Sequence, residues 1–504
     1  MKFKLNFIWI LFILIFFVTK ISFCETPLVL TLEESVETAL NKSYSIKTLK
    51  ESVRRSTETL KAARAALRSY ANLSFDVPSY SESINQVLDA FSNKDVFEKK
   101  GNFQNQGQVI ISQPFSTSGT LSLVGTFFRN DLFNDSKRFN PLTGKEFGRT
   151  DSRFFSNKLY FQFVQPIFTP NTLRMNIRRA ELGFEETEEQ YERYKLAIVA
   201  DVTNRFYDLY QAKEQVRIDE GLVKQSEDAY QMAMNRFQAD LIPEVEVMQL
   251  EVELARNKNS LEMSIGNLKR IEDFFKHLVG LDIEQEIDIA AEIEYKPIGV
   301  DIDDALDKAL KYRTELRIDE IYIERSEMSV IDADSKSEFK GNIVATYGID
   351  GTDEEYSNTF NNFDLTRSIR INFSMPLWDW GRNEAEVQAA EADLKNAEYK
   401  LDDTKETLKE EVRDAVRRLE ESKSRIQITE KNIELAEKTY DISLERFKNG
   451  DITSRELALE QNSLTRARVE YLSALIDYKK ALMDIAVKTM WDFENNRPAI
   501  SEIE

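Results

Sequence analysis

The chain carries abundant carboxylates and little else that does chemistry. It has 88 Asp and Glu against 67 Lys and Arg, with one histidine, His277, and one cysteine, Cys24. A His/Cys metal centre needs several such ligands, and a Ser-His-Asp triad needs a placed imidazole backed by a carboxylate. One His and one Cys, 253 positions apart in the sequence, supply neither. There is no Walker-type Gly-Lys-Ser/Thr loop to cradle a nucleotide phosphate. No run of Lys or Arg is long enough to hold a nucleic acid backbone. Carboxylates are so frequent that a catalytic Asp/Glu pair stays open on sequence alone, but no spacing singles one out. His277 falls near a helix end and is assigned no role. The formal charge of −21 makes the chain soluble and self-repelling without fixing a fold.

The elements that would position any site are long. Charged residues make up 31% of the 504 positions, with only 16 Gly and 10 Pro, a mix that suits extended helices. The start reads as a targeting segment. Lys2 and Lys4 precede an apolar stretch from Phe7 to Val18, followed by Ser22-Phe23-Cys24. That order is the one a secretory signal peptide has, with cleavage expected after Cys24. The alternative is a lipoprotein acylated on Cys24. Beyond it, no segment approaches 18 consecutive apolar residues, so a membrane crossing would have to be made by short alternating strands.

The sequence is written twice. Arg236-Phe237 recurs as Arg446-Phe447, Tyr230 as Tyr440, and Ile167-Phe168 as Leu377-Trp378, all at an offset of 210. Upstream the offset is 270, as Ala39-Leu40 recurs as Ala309-Leu310. The first copy therefore carries an insertion of 60 residues, placed between Ser79 and Asn157. Each copy reads as helix, strands, long helix, turn, helix. Expected helices are Thr31–Tyr70, Thr172–Gln238 and Pro243–Leu278 in the first copy, with Pro243 in the first turn, where its missing N–H costs nothing. Those of the second are Asp301–Ser337, Arg382–Lys448 and Arg455–Thr489. The domain reading is a signal peptide over 1–24, a first repeat over 25–280, a linker over 281–300, a second repeat over 301–490 and a tail over 491–504.

Along the second long helix, Leu408, Val412, Ala415, Leu419, Ser422, Ile426, Thr429, Ile433, Ala436, Tyr440, Ser443 and Phe447 fall at steps of four and three. Ile198, Val202, Leu209, Ala212, Val216, Val223, Ser226, Tyr230, Ala233 and Phe237 match them in the first. This is a coiled-coil seam on a helix ~100 Å long, and its small residues favour close antiparallel packing. The strands alternate. Ile369, Ile371, Phe373 and Met375 interleave with Arg370, Asn372 and Ser374, and Leu159, Phe161 and Phe163 interleave with Tyr160 and Gln162. Strands expected at Asn342–Ile349 and Arg367–Leu377, with others near Leu121–Phe127 and Leu159–Phe163, would be apolar on one side and suited to a wet lumen on the other. Four to six strands per chain are too few to close a wide barrel, so strands from several subunits must be pooled.

Three motifs carry a resemblance. The first is the strand-to-helix junction Met375-Pro376-Leu377-Trp378-Asp379-Trp380-Gly381-Arg382, echoed by Gln165-Pro166-Ile167-Phe168 with Asn171 at the place of Gly381. The second is the hairpin tip Arg446-Phe447-Lys448-Asn449-Gly450-Asp451-Ile452, with Asp240 at the place of Gly450 in the first copy. The third is the paired opening Leu32–Leu40 and Ile302–Leu310. Together, in order and duplicated over about Leu30 to Trp491, they resemble the TolC-type outer-membrane efflux and secretion channels.

The resemblance implies a mainly α fold with a β-barrel part. A homotrimeric membrane β-barrel, with four strands per subunit and twelve in all, would continue into a long α-helical periplasmic barrel. Val109–Phe128 would be an extra hairpin. The implied function is a passive outer-membrane exit duct of a tripartite efflux or type I secretion system, extending into the periplasm of a Gram-negative-type bacterium, with no cofactor and no enzymatic activity. Its partners would be a periplasmic adaptor and an inner-membrane pump, with outer-membrane lipid around the barrel and no nucleic acid. Glu456, Glu460 and Glu246 would form the acidic gate, although the second carboxylate position expected in the family falls on Leu459, beside Glu460. Asp240, Leu241, Ile242, Pro243, Asn449, Gly450, Asp451, Ile452 and Thr453 would meet the adaptor. Pro166, Pro376 and Gly381 would turn strand into helix, and Trp378 and Trp380 would anchor at the membrane boundary. Against these stand plainer readings: a first-turn Glu favoured by the helix dipole, and tips that are only tight turns. A coiled-coil tether or adhesin of the envelope is the alternative from another class, and it has no need of duplicated alternating strands. A secreted enzyme is the third.

Overall fold

The computed structural model describes residues 28–89, 93–136, 138–139, 146–147, 150–290 and 293–499. The expected signal peptide and Cys24 lie outside them. Eight α-helices run over Leu32–Lys42 (α1), Tyr44–Ala65 (α2), Thr172–Gln238 (α3), Glu244–Val279 (α4), Ile302–Tyr312 (α5), Thr314–Asp334 (α6), Arg382–Asn449 (α7) and Ser454–Thr489 (α8). Six long strands run over Tyr70–Asp89 (β1), Lys94–Pro114 (β2), Thr120–Ser136 (β3), Thr150–Ile167 (β4), Lys340–Asp353 (β5) and Asp364–Ser374 (β6). No described helix is long and apolar enough to cross a membrane.

The chain divides into two compact units, each drawing on both sequence copies. One comprises Met1–Ser52, Glu189–Leu316 and Asp403–Glu504. It holds two equivalent cores. Ala39, Val202, Phe206, Leu209 and Phe275 pack in the first; Ala309, Val412, Val416, Leu419 and Ile485, their counterparts at the repeat offsets, pack in the second. The duplication is thus visible as packing. A third cluster joins all four hairpin helices, with Ala229, Ala233, Val247, Leu250, Tyr440, Phe447, Leu457 and Leu464 buried together. Leu28–Leu30 pairs in parallel with Ile287–Ile289.

The second-copy seam is buried as its spacing requires, from Leu408 to Phe447, with Ile433 and Ala436 only half-buried. In the first copy the buried positions drift to Leu222 and Ala229, leaving Val223 and Tyr230 half-buried. The single first helix expected in each copy is two helices. Ser43 and Arg313, at matching places, cap one helix and start the next. The Ser43 hydroxyl accepts from the Ile46 N–H, and half-buried Arg313 spans Glu315, Glu411 and the Lys488 carbonyl. The broken turns thereby regain polar partners.

The other unit comprises Val53–Glu188 and Arg317–Asp402. Its six strands form one antiparallel sheet in the order β6-β5-β4-β3-β2-β1. The expected extra hairpin, Val109–Phe128, is the β2–β3 pair, lying within the sheet. In the helical part of this unit Leu60, Leu182, Ile318 and Ile321 are buried, and ion pairs run across α2, α3 and α6: Arg64–Glu181, Arg178–Glu324, Arg317–Glu185 and Arg325–Glu186.

Candidate functional site

Directly paired residues of a sheet share a face, so the register sorts the side chains. One row across the six strands is Leu73, Val109, Gly125, Leu159, Ile349 and Leu365. The next is Ala71, Ile111, Leu123, Phe161, Tyr347 and Arg367. Apart from Arg367 at the edge, these rows are apolar, and they are mostly exposed. The stripe Phe161, Phe163 and Phe373 lies on this face, as a lipid-facing surface requires.

Polar rows lie on the other face, on either side of a mixed row that holds Ile110, Val124 and Tyr160. Ser74, Gln108, Thr126, Lys158, Asp350 and Asp364 form one, and Tyr70, Ser112, Ser122, Gln162, Thr346 and Ser368 another. Lys158 pairs with Asp350 at 2.8 Å, and Ser112 with Ser122 at 2.9 Å. Ser112, Val124 and Ser156 on this face are buried, whereas Phe161 and Ile369 on the other are exposed. A sheet curled with its polar face inward produces that contrast.

Aromatic clusters bound the apolar face at both ends. Tyr356 meets Phe127, Phe155 and Phe360 edge-on at 5.2–5.7 Å. At the helix end, Phe339 lies 5.7 Å from Phe168 and 5.1 Å from Phe373. From Phe155 to Ile167 along β4 is about 40 Å, or about 30 Å in height at a strand tilt of about 40°. An apolar band of that height between aromatic clusters matches a bilayer's hydrocarbon core.

The two strand-to-helix junctions start their helices by different backbones as well as different residues: the first copy turns at Phe168, with φ of 58°, and the second at Trp380 and Gly381. In the second copy, Trp380 and Gly381 take positive φ of 61° and 79°, and the Asp379 carboxylate accepts from the N–H of Gly381 at 3.0 Å and of Asn383 at 2.8 Å. Those amide donors, Asn383 first, hold the Asp379 carboxyl below its ordinary range. Trp378 and Trp380 are 78% and 95% exposed. Strand β6 ends at Ser374, so Met375, Pro376 and Leu377, which the alternation placed in the strand, lie beyond it. Pro166 lies inside β4, next to its end.

In the first copy, Asn171 caps α3 by accepting from the Arg174 N–H at 3.0 Å. It also donates to the Ser116 carbonyl at 2.5 Å and accepts from the Ser118 hydroxyl at 2.7 Å. Gln165 adds bonds to the Thr117 carbonyl and hydroxyl. The β2–β3 turn is therefore fastened to the junction, a role glycine at 171 could not fill. These polar anchors escaped the sequence reading. Their signal is a recurring pair, Gln113-Pro114 ending β2 and Gln165-Pro166 near the end of β4, in which each Gln side chain bonds the carbonyl of its own Pro.

At the tips the copies converge. The Gly450 N–H bonds the Phe447 carbonyl at 3.0 Å and the Asp451 N–H that of Arg446 at 2.9 Å; Asp240 and Leu241 repeat both bonds at 2.9 Å. These are Schellman caps, with φ of 85° at Gly450 and 59° at Asp240. The Arg236 guanidinium donates to the Phe447 carbonyl at 3.0 Å and fills the space a Cβ at Gly450 would enter. Pro243 is the N-cap of α4, not part of its first turn, and makes no side-chain cap. Thr453 and Glu456 form a capping box: the Glu456 carboxylate accepts from the Thr453 N–H at 2.8 Å and the Thr453 hydroxyl accepts from the Glu456 N–H at 3.3 Å. That backbone donor lowers the Glu456 carboxyl from its ordinary value. Glu456 is exposed, Glu246 and Glu460 are half-exposed, and Leu459 is exposed beside Glu460. Among the described residues no three His, Cys, Asp or Glu side chains converge as a metal would need.

A family model described as outer membrane efflux protein matches residues 133–273 and 306–487. No curated protein matches the chain. Among solved structures, the CmeC outer membrane channel of Campylobacter jejuni superposes with a TM-score of 0.67 at 15% identity, over 91% of this chain and 85% of that one. The outer membrane protein VceC of Vibrio cholerae gives 0.64 at 15% identity, over 91% and 95%. The open state of the MtrE outer membrane channel of Neisseria gonorrhoeae gives 0.63 at 13% identity, over 91% and 88%. At such identities the likeness is one of fold.

Proposed function

Because this chain belongs to the outer membrane efflux protein family, we propose that it is the passive exit duct of a tripartite efflux or type I secretion system, and not an enzyme. The carrying observation is the six-stranded sheet, apolar and girdled by aromatics on one face, polar and shielded on the other. A single chain leaves β1 and β6 as open edges, which a bilayer does not tolerate. Three copies joined around an axis would close the barrel in the outer membrane, with the long helices forming the periplasmic tunnel. A periplasmic adaptor would dock on Asp240, Leu241, Ile242, Pro243 and on Asn449–Thr453, and an inner-membrane pump would supply the energy. An envelope tether has no use for a two-faced girdled sheet.

Glu456, Glu460 and Glu246 sit just past the tips, where three copies would bring their carboxylates around one entrance. Glu456 has a second job there, as the capping partner of Thr453. Glutamine also completes a capping box, so Glu456→Gln removes the charge and keeps the cap, whereas Glu456→Ala removes both. Single-channel conductance of the purified protein in a planar bilayer separates the two roles. The proposal expects mostly closed wild-type channels and longer openings in both variants. Opening in the Ala variant alone would assign Glu456 to the cap and remove it from the gate. Protein that stays monomeric and gives no channels would sink the duct.

A further inference from the structure

We propose that each subunit contributes six strands to the barrel wall, so that three copies close an eighteen-stranded barrel in place of the twelve-stranded one the family resemblance implies. The inference rests on the trimeric duct proposed above. The occupant of each open edge is a second copy of this chain, with β6 of one subunit pairing β1 of the next.

Four observations carry it. First, β2 and β3 are full members of the sheet. Their pairing runs without a register break from Glu98↔Ser136 to Pro114↔Thr120, and β3 pairs β4 from Thr120↔Val164 to Asn134↔Thr150. Second, the added strands obey the same facing rule as the others: Val109, Ile111, Leu123 and Phe127 lie on the apolar face, with Gln108, Ser112, Ser122 and Thr126 on the polar one. A hairpin lying outside the wall would not need a lipid face and a water face in register with its neighbours. Third, its turn is built into the wall's base through Asn171 and Gln165. Pro114 stands at the end of β2, Pro166 near the end of β4 and Pro376 just past β6, so the three strands that run toward the helices stop alike. Fourth, six antiparallel strands leave edges of opposite direction, and β6 against β1 of the next copy continues the antiparallel order around a closing ring. Both edges carry apolar side chains fit for lipid, Leu73 and Phe75 on β1 and Ile369, Ile371 and Phe373 on β6, all exposed in the single chain.

The count changes the pore. With strands ~4.8 Å apart and tilted ~40°, eighteen strands give a backbone diameter of ~36 Å against ~24 Å for twelve. The cross-section is then about twice as large, which moves the narrowest point of the duct away from the membrane.

Electron cryomicroscopy of the purified full chain in lipid nanodiscs tests this directly. Eighteen strands in a ring of three subunits is the expected result. Three subunits with a twelve-stranded wall, the β2–β3 hairpin hanging inside or outside it, would overturn the inference and leave the duct standing. A ring of any other number of copies would overturn the count, and absence of a ring would remove the duct with it. A second readout uses the same protein in liposomes. Gln108→Cys and Thr126→Cys should react with a membrane-impermeant maleimide and Leu123→Cys only with a lipid-soluble one. The reverse pattern, or no difference between the positions, would take the hairpin out of the wall.

Discussion

At the tips the two copies of the repeat reach the same backbone by different side chains, at the junctions the backbone differs too, and each difference has a local partner that accounts for it. At the junctions, the second copy uses Gly381 at φ 79° and the Asp379 carboxylate; the first uses Asn171, which must also hold the inserted turn. At the tips, Gly450 makes room for Arg236, which reaches across from the first copy to the Phe447 carbonyl, while Asp240 holds the left-handed geometry itself. Asp is one of the few residues besides Gly that visits that region at modest cost. At the tips duplication fixes the turn, and the neighbour at each site decides which residue fills it.

The largest expected effect separates the tips. Phe447 is 1% exposed in the cluster joining the four hairpin helices, whereas its counterpart Phe237 is half-buried at the edge. Phe447→Ala should cost about 3–5 kcal/mol by loss of transfer energy plus a cavity, and Phe237→Ala markedly less. Urea unfolding followed by helical circular dichroism gives both values. Equal losses would mean that the tips are packed symmetrically and that the asymmetry described above does not govern stability.

The junctions come next. Asn171→Gly converts the first copy to the residue of the second. It loses the side-chain cap, worth only a few tenths of a kcal/mol against Gly, and two further hydrogen bonds of about 0.5–1.5 kcal/mol each, for about 1–3 kcal/mol in all. Limited proteolysis at Phe115–Gly119 should speed up in the same variant, because the turn is released. Unchanged stability and cleavage would show that Gln165 holds the turn unaided.

Much of this was legible in the sequence because it is periodic. The seam of α7, the 210-residue offset and the alternating strands each repeat often enough to fix a face, and the matching cores around Val202 and Val412 follow from them. What stayed hidden depends on single residues. The breaks at Ser43 and Arg313 interrupt helices whose apolar pattern runs on, and only the capping partners reveal them. The place of the β2–β3 hairpin is a matter of register between strands far apart in the chain, which alternation within one strand does not specify. The candidate entrance residues were found from the tip motif. Glu456's role in the cap was written in Thr453-Ser454-Arg455-Glu456, a capping-box spacing that also reads as a gate.

The smallest effect is a pH contrast between the copies. In the second, α7 starts on the Asp379 carboxylate and α8 on the Glu456 carboxylate, both held below their ordinary values by backbone donors. In the first, α3 starts on the uncharged Asn171 and α4 on Pro243, which makes no side-chain bond. A carboxyl whose folded value is depressed stabilises the fold fully above its unfolded value, about 4 for these side chains, and loses that contribution as pH falls through the folded one. Acidification below about pH 4 should therefore fray the first turns of α7 and α8 before those of α3 and α4. Hydrogen exchange of the four helix starts, corrected for intrinsic rates, measures it. Glu456→Gln should abolish the pH dependence at α8 and leave that at α7 in place, because the glutamine amide keeps the cap without titrating. Fraying of all four starts together would place the acid sensitivity in the net charge of the chain and not in these two caps.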